Sequence, residues 1–254
     1  MKRTNEDLEK IYDKVYELGE NIFFSIPSKE ITEEISNLID WQDKEVLEVG
    51  CGTGELSHEI AKKGGKTYAI DYSEKAISLA KEKFKHENLI FEKKKFEDAE
   101  GKYDVVVAEE ILEHIDDPLK ALEKLKSLIK DNGMIIVSCP NFLNIRGYIW
   151  MTLAILFDVP MSLTDIHYIC QFDIEQWAKE LNLKLEWKTI MHNYGNGEKM
   201  LVDMDKRLKN ALKDAKMDIS KVDKLIDWLR KAINYDNNLR HTGVTGIYIL
   251  KKLN

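Results

Sequence analysis

The stretch Glu48-Val49-Gly50-Cys51-Gly52-Thr53-Gly54 decides how the rest of the sequence is interpreted. The apolar run over residues 45–49 predicts a short buried strand before it. The pattern over residues 55–63 predicts a helix after it, ended by Gly64-Gly65. Because glycine lacks a Cβ, the turn can bend sharply and a ligand can approach its backbone closely. The stretch therefore predicts a ligand-binding turn. The alternative is a strand-to-helix connection that is glycine-rich without binding a ligand.

Strands and amphipathic helices alternate beyond this turn. Apolar runs predict further strands at residues 66–70, 89–91, 103–108, 134–137, 185–190 and 246–250. Apolar strands that alternate with amphipathic helices indicate a parallel sheet covered on both faces. We therefore expect an α/β fold with a doubly wound, mostly parallel, seven-stranded sheet whose last two strands pair antiparallel. The ligand crevice should lie beyond the carboxyl ends of the parallel strands.

The length of 254 residues suits a single domain with helical insertions. The predicted parts are N-terminal helices (1–40), a cofactor-binding core (41–140), two cap insertions (141–170 and 191–242) and final core elements (171–190 and 243–254). The first insertion leaves the sheet just past the carboxyl end of the fifth strand, so it is placed to cover the crevice. Amphipathic helices in the second insertion would either close a lid or build a dimer.

Composition and charge exclude several classes of protein. The net charge of −7 argues against a protein that binds long nucleic acids through their phosphate groups. The three cysteines, Cys51, Cys139 and Cys170, are too few and scattered for a disulfide framework or a zinc site. No apolar run is long enough to span a bilayer, and no signal-peptide pattern opens the sequence. We expect a cytoplasmic protein.

A second acidic residue, Asp71, ends the predicted second strand. A carboxylate there can accept hydrogen bonds from both ribose hydroxyls of an adenosyl group. The alternative is an ordinary charge near the start of the next helix. The segments Glu48-x-Gly50-x-Gly52-x-Gly54 and Ala69-Ile70-Asp71-Tyr72 resemble two motifs of the class I S-adenosylmethionine (SAM)-dependent methyltransferases. The resemblance covers roughly residues 41–185 and the last strand.

The resemblance implies SAM as the cofactor and assigns several residues to it. Glu97 or Asp98 would contact the adenine, and Glu109 would line the methionine end. The full implied set is Glu48, Gly50, Gly52, Gly54, Asp71, Tyr72, Glu97, Asp98 and Glu109. Within the superfamily, the chain is most similar to a type 11/12-like branch that resembles the ubiquinone-biosynthesis O-methyltransferases.

The segment Glu110-Ile111-Leu112-Glu113-His114 follows the fourth strand, and His167 lies further along the chain. If the segment is helical, Glu110, Glu113 and His114 share one side. Two carboxylates and two imidazoles are plausible ligands of Mg²⁺ or another divalent cation. The pattern resembles the metal motif of the ubiquinone-biosynthesis enzymes and of methyltransferases that modify the 3′-terminal 2′-hydroxyl of small RNAs. The alternative is that no metal binds, and that His114 removes a proton or shapes the pocket.

Two further features concern the acceptor. His192 is a candidate general base, because an imidazole titrates near neutral pH; the alternative is a solvated loop residue.

Residues 145–157 are apolar on nearly every side, which predicts a helix packed into the cap. The alternatives are a hydrophobic pocket for the acceptor, or a surface that makes peripheral contact with a membrane or a partner.

The expected activity is transfer of a methyl group from SAM to a hydroxyl of a small-molecule acceptor, with or without a divalent metal. Glu110, His114 and His192 are the candidate catalytic residues. An RNA 3′-terminal 2′-O-methyltransferase and a non-catalytic SAM-binding module are the alternative functions.

Overall fold

The computed structural model describes residues 28–159, 165–233 and 243–253. The helix predicted at the start of the chain, within residues 1–27, lies outside them, as do residues 160–164 and 234–242 of the two cap insertions. The described helices are α1 (Ser28–Ser36), α2 (Glu55–Lys62), α3 (Glu74–Lys83), α4 (Pro118–Leu128), α5 (Ile145–Phe157), α6 (Gln171–Glu180), α7 (His192–Asn196), α8 (Glu198–Asp214) and α9 (Val222–Ile233). The described strands are β1 (Glu45–Val49), β2 (Lys66–Asp71), β3 (Leu89–Lys93), β4 (Tyr103–Glu109), β5 (Ile129–Pro140), β6 (Leu183–Ile190) and β7 (Thr245–Lys252).

Within these ranges the seven strands form one sheet, in the order β3-β2-β1-β4-β5-β7-β6. Strands β1 to β5 pair in parallel, and β7 runs antiparallel to both of its neighbours, β5 and β6. This confirms the predicted α/β class, the doubly wound sheet and the antiparallel last pair. The chain builds outward from β1 to β3 and then returns to place β4 on the other side of β1. The crevice beyond the carboxyl ends at such a reversal is the usual ligand position.

Helices cover both faces of the sheet, and this explains its continuous apolar strands. Residues Val105 to Ala108 of β4 are at most 1% exposed. One face packs against α4 and α6 through side chains such as Leu122 and Ile174. The other face packs against α1 and α2 through Ile35 and Ile60.

Two element boundaries have clear local causes. The Asp117 side chain caps α4 by accepting from Lys120 N at 3.1 Å, and Pro118 occupies the first turn. Strand β5 is longer than the predicted residues 134–137, because it also pairs Ile129 with Tyr103 before a register shift at Met134. Ladder hydrogen bonds need only backbone groups, so the polar residues before Met134 extend the strand without an apolar signal.

The cap has its own hydrophobic cluster, formed mainly by α5, α8 and α9. Met200, Met204 and Leu208 of α8 are buried at the helical spacing that the sequence predicts. The C-terminal end of α5 is exposed instead, and Leu156 keeps 67% of its accessible surface. No helix in the described parts of the chain has both the length and the apolar character needed to cross a membrane.

Candidate active site

The glycine turn connects β1 to α2 and is anchored on the end of β2. Gly50 N donates to Ile70 O at 2.8 Å. Gly50, Gly52 and Gly54 all have positive φ, of 68°, 51° and 86°. A Cβ on Gly54 would also lie 2.5 Å from Phe91 Cζ. The positive φ values, and at Gly54 also the lack of room for a Cβ, therefore require glycine in this turn. The backbone of the turn faces the crevice without side chains in the way.

Asp71 lies at the carboxyl end of β2 beside this turn, and it is only 6% exposed. Its Oδ2 accepts from Gly52 N at 3.0 Å, and its Oδ1 accepts from Ser73 N at 2.8 Å. These two backbone donors hold the carboxylate in one orientation. The predicted ribose-binding carboxylate and the predicted glycine turn thus form one structural unit.

Buried acids line the crevice next to the turn. Glu48 is 2% exposed, and Ser57 Oγ donates to its Oε2. Burial and neighbouring acids raise the pKa of Glu48 to about 8. Burial and the charges of Glu48 and Glu110 raise the pKa of Glu109 well above its ordinary value. A nearby cation would restore the ionised forms of these acids, so the crevice suits a positively charged ligand such as a sulfonium.

The residues implied for the nucleoside end lie at the neighbouring strand ends. Tyr72 directly follows Asp71 and is half-buried. Glu97 and Asp98 are exposed on a 3-10 turn, Phe96–Asp98, which follows β3. The β3 end is next to β2 in the sheet, as an adenine contact requires. The choice between Glu97 and Asp98 stays a prediction.

The loop after β4 meets the glycine turn directly. A Cβ on Gly50 would lie 2.2 Å from Ile111 Cδ1, so the two loops are packed together at this point. Glu110 has a φ of 52°, a left-handed conformation that is uncommon for a residue with a side chain. Its N–H donates to Ser138 Oγ at 3.1 Å, which ties the strained residue to β5. Strained backbone of this kind clusters at functional sites.

The conformation of this loop differs from the predicted helical turn. Only Leu112–His114 forms a 3-10 turn, and Glu110 lies outside it in the left-handed region. The helical spacing argument for Glu110, Glu113 and His114 was therefore wrong in its geometry. Glu110 and Glu113 still lie close enough for the charge of Glu110 to raise the pKa of Glu113.

His114 lies between two carboxylates. Its Nδ1 is 3.6 Å from Asp165 Oδ1, and its Nε2 is 4.0 Å from Glu113 Oε1. The backbone N–H groups of Ile166 and His167 donate to Glu113 O at 2.9 and 3.1 Å. These two bonds bring the segment that carries Asp165 against the 3-10 turn. Asp165 was not among the predicted site residues, although its neighbour His167 was.

The predicted metal ligands are only partly brought together. His167 Nε2 lies 3.2 Å from Asp116 O and takes no part in the Glu113–His114 contact. Within the described ranges, no three Asp, Glu, His or Cys side chains form a metal-binding arrangement. Glu110 Oε1 and Glu113 Oε2 are buried and have no hydrogen-bond partner in the described structure. Carboxylate oxygens are a ligand type that divalent cations use, and the four-ligand set stays a prediction.

His192, the other candidate base, begins α7 on the exposed surface. No hydrogen bond or ion pair among the described residues connects it to Glu110 or His114. Thr32 of α1 was missed by sequence reasoning, and its Oγ1 donates to Glu109 Oε1 at 3.5 Å. Thr32 and Glu109 are 77 positions apart, and the residues around Thr32 do not indicate a contact at that distance along the chain.

A family model described as "Methyltransferase domain" matches residues 25–187, which is more than half of the chain. A ubiquinone biosynthesis O-methyltransferase of Coxiella burnetii is 30% identical over 168 residues, covering 62% of this chain and 71% of that protein. The enzyme of the same name from Colwellia psychrerythraea is 30% identical over 183 residues, covering 67% and 74%. The family match stops before the second cap insertion, residues 191–242.

Solved structures show the same fold at low sequence identity. A Haloferax volcanii methyltransferase, solved with its Trm112 activator, superposes with a TM-score of 0.63 at 14% identity, covering 99% of this chain and 98% of that chain. The magnesium protoporphyrin IX methyltransferase of Synechocystis was solved with bound S-adenosylhomocysteine. It superposes with a TM-score of 0.55 at 19% identity, covering 70% of this chain and 84% of that chain. Together with the glycine turn and Asp71, these matches confirm the resemblance: the chain belongs to the methyltransferase-domain family and is a class I SAM-dependent methyltransferase.

Proposed function

We propose that this methyltransferase acts on a hydroxyl of a small molecule. The observation that carries the proposal is the packing of Ile111 against Gly50, which places the His114 turn beside the cofactor turn. A proton acceptor is needed there because a hydroxyl is a poor nucleophile until its proton is lost. The relatives that match this region are named for O-methylation in ubiquinone biosynthesis, and this supports an oxygen acceptor.

The cofactor-binding side of the mechanism rests on the turn and on Asp71. The bare backbone at Gly50, Gly52 and Gly54 admits the cofactor, and Asp71 accepts from its ribose hydroxyls. A bound sulfonium would favour the ionised forms of Glu48 and Glu109, whose pKa values are raised by burial and by neighbouring acids. When bound, SAM supplies a methyl group already activated by its positive sulfur, so the protein contributes mainly alignment and exclusion of water.

His114 is the residue that we assign to the acceptor proton. With the cofactor bound, the acceptor oxygen would take the methyl group as its bond to sulfur breaks, and an imidazole nitrogen of His114 would accept the hydroxyl proton. Glu113 lies 4.0 Å from Nε2 and Asp165 lies 3.6 Å from Nδ1, so carboxylates stabilise the imidazolium that results. Glu110, held in its left-handed conformation, borders the same space.

A divalent cation is the alternative to proton transfer to His114, because an imidazole nitrogen that binds a cation has no lone pair left for the proton. Glu110, Glu113 and His114, with His167 as the fourth predicted ligand, would hold it. The two buried carboxylate oxygens without partners support a cation at this position. Such an ion would lower the pKa of the acceptor hydroxyl and orient its oxygen.

The test is to incubate the purified protein with methyl-labelled SAM and a crude cell extract, with and without EDTA, and then to fractionate the extract. Label in a small-metabolite fraction is expected, and loss of that label with EDTA would support the cation. A His114→Gln variant is the matched control, because it should bind SAM and leave the fraction unlabelled.

Two other outcomes would contradict the proposal. Label in short RNA would replace it with 3′-terminal 2′-O-methylation. Cofactor binding without label in any fraction would favour a SAM-binding module that does not catalyse transfer.

A further inference from the structure

Charge is distributed unevenly along the chain. The whole chain carries a net charge of −7. Residues 206–231, from the middle of α8 through most of α9, instead contain nine lysines and arginines but only four acidic residues, all of them aspartates. An excess of positive charge in one segment of an acidic chain indicates a surface for an anionic partner. The rest of the chain is correspondingly more acidic than the whole.

One exposed flank of α9 carries aspartates whose charges are paired. Lys209 Nζ lies 2.8 Å from Asp223 Oδ1, and Arg230 Nη1 lies 3.0 Å from Asp227 Oδ1. Asp223 and Asp227 are one turn apart, so the two ion pairs follow the same side of the helix. This flank therefore presents little net charge to a partner.

The opposite flank of α9 presents lysines around an exposed indole ring. Its members lie three or four positions apart, which makes them neighbours on the helix surface. They are all exposed, and they form what we call the basic α9 face: Lys221, Lys224, Trp228 and Lys231. In the described parts of the chain, the side chains of Lys224 and Lys231 make no ion pair or hydrogen bond. The face therefore keeps a positive charge that no neighbouring carboxylate neutralises at these two lysines.

Lys221 is the member of the face with an acidic residue nearby. Hydrogen bonds from the backbone and hydroxyl of Ser220, and then the charge of Lys221, hold the pKa of Asp218 below its ordinary value. The Asp218 carboxylate accepts from Ser220 N at 2.8 Å and from Ser220 Oγ at 2.7 Å. Lys221 thus contributes less free charge to the face than Lys224 and Lys231 do.

Trp228 is 63% exposed at the centre of this face. A single exposed aromatic ring does not by itself indicate an interface. The apolar side of α9, including Val222, Ile226 and Leu229, already packs into the cap cluster, to which Trp228 does not belong. Tryptophan is enriched among the residues that dominate protein–protein binding, where a polar rim surrounds it. An exposed indole among lysines has this arrangement.

The charge of the rest of the chain favours one kind of anionic partner. A long nucleic acid or an anionic bilayer would extend beyond the face and meet the acidic remainder of the surface, since salt screens charges only beyond about 10 Å. Single-stranded nucleic acids also stack successive bases on several aromatic rings, and this face has one. A short acidic segment of a protein would contact the face alone.

We propose that the basic α9 face binds a short acidic segment of a partner protein. Carboxylates of the segment pair with Lys224, Lys231 and Lys221, and an apolar side chain packs on Trp228. The inference goes beyond the proposed methyl transfer and does not depend on it. The competing account is that α9 simply presents a solvated surface.

The experiment measures binding of a labelled peptide to the full chain by fluorescence anisotropy. The probe is a synthetic peptide of glutamates around a central leucine, and its counterpart replaces every glutamate by glutamine. We expect the glutamate peptide to bind at least about tenfold more tightly at low salt, because three exposed ion pairs each contribute modestly. The preference should shrink as salt is added.

Two variants separate the parts of the face. Lys224→Glu/Lys231→Glu should remove the preference for the glutamate peptide. Trp228→Ala should weaken both peptides about tenfold, because the leucine contact is common to them. Lys81→Glu, at an exposed position on α3 in the core, is the matched control: it also replaces a lysine by an acid and should bind as the wild type does. Thermal unfolding of each variant checks that the cap is folded.

Equal binding of the two peptides, or equal effects of Lys81→Glu and Lys224→Glu/Lys231→Glu, would overturn the proposal in favour of a solvated surface. Failure of the glutamate peptide to bind would overturn it as well. Tighter binding of a short oligouridylate or of phosphatidylglycerol vesicles would assign the face to RNA or to a membrane instead. A dimer that ultracentrifugation detects in the wild type and not in Trp228→Ala would assign it to a second copy of the chain.

Discussion

Asp71 Oδ2 accepts a 3.0 Å hydrogen bond from the backbone N–H of Gly52, and this bond joins the end of β2 to the turn that follows β1. The carboxylate is therefore already oriented when a ligand arrives. Such preorganisation lowers the entropy that binding must overcome. The same contact makes Asp71, the proposed ribose-binding residue, a support of the glycine turn as well.

Replacing Asp71 by Asn should weaken the binding of S-adenosylhomocysteine by a factor on the order of 10 to 100, because charge-assisted hydrogen bonds are lost. The overall fold should remain, since the amide is nearly isosteric, although either Gly52 N or Ser73 N loses its acceptor to the amide nitrogen. Calorimetric titration measures the effect. Glu74→Gln, at an exposed position three residues further along, is the control and should bind as the wild type does. Unchanged affinity in Asp71→Asn would remove Asp71 from the cofactor site.

The contact between Gly50 and Ile111 predicts a coupled pair of substitutions. Gly50→Ala places a Cβ 2.2 Å from Ile111 Cδ1, and overpacking of this kind costs roughly 1–3 kcal/mol. Ile111→Val deletes that Cδ1 atom. The double variant should therefore be more stable than the sum of the two single effects predicts, as a denaturant-based double-mutant cycle would show. Strict additivity would mean that the two loops are not packed together in solution.

The raised pKa of Glu48 predicts a pH-dependent stability. With its pKa at about 8 in the folded chain, Glu48 retains its proton where an unfolded glutamate has lost it. Its contribution to the free energy of unfolding should therefore fall as the pH rises from about 5 to about 8. A Glu48→Gln variant lacks this dependence, so its stability relative to the wild type should increase over that window. Parallel pH profiles of the two proteins would contradict the buried, protonated Glu48.

His114→Gln should lower kcat by a factor on the order of 10² to 10⁴, the usual contribution of a general base. The affinity for S-adenosylhomocysteine should change little, because the turn and Asp71 are untouched. The comparison variant is His192→Gln, at the exposed start of α7. If kcat fell in His192→Gln and not in His114→Gln, the proton-accepting role would belong to His192.

Asp203→Ala should destabilise the protein by about 3–5 kcal/mol, because it leaves the buried Arg146 guanidinium without its carboxylate. An Arg146→Met/Asp203→Leu double variant should recover most of the loss, since it removes both charges together. Urea unfolding measures the free energies. A loss of less than about 1 kcal/mol in Asp203→Ala would indicate that the pair is solvated and contributes like a surface ion pair.

Local signals were sufficient to predict the glycine turn and the acidic residue beside it. The glycine turn and the end of β2 are each recognisable within a few residues, because positive φ values and buried strands impose residue types directly. The antiparallel pairing of β6 with β7 was also predictable from two apolar runs at the end of the chain. By contrast, the argument that Glu110, Glu113 and His114 share one side assumed a helical turn, whereas Glu110 is left-handed and its N–H donates to Ser138 of β5.

The sequence by itself determined the fold class, the family and the glycine turn with Asp71 beside it, since these depend on short-range pattern. Only the tertiary structure decided which charged side chains pair with one another. Asp165 reaches His114 across 51 positions, and Arg146 reaches Asp203 across 57. Such pairs are set by how the cap helices pack on the sheet and on each other, and neither partner carries a local signal of the other. The physical reason is that a buried charge without a partner is costly, so the folded chain must pair its buried charges. Several pairings would satisfy this requirement, and only the packed structure shows which one forms.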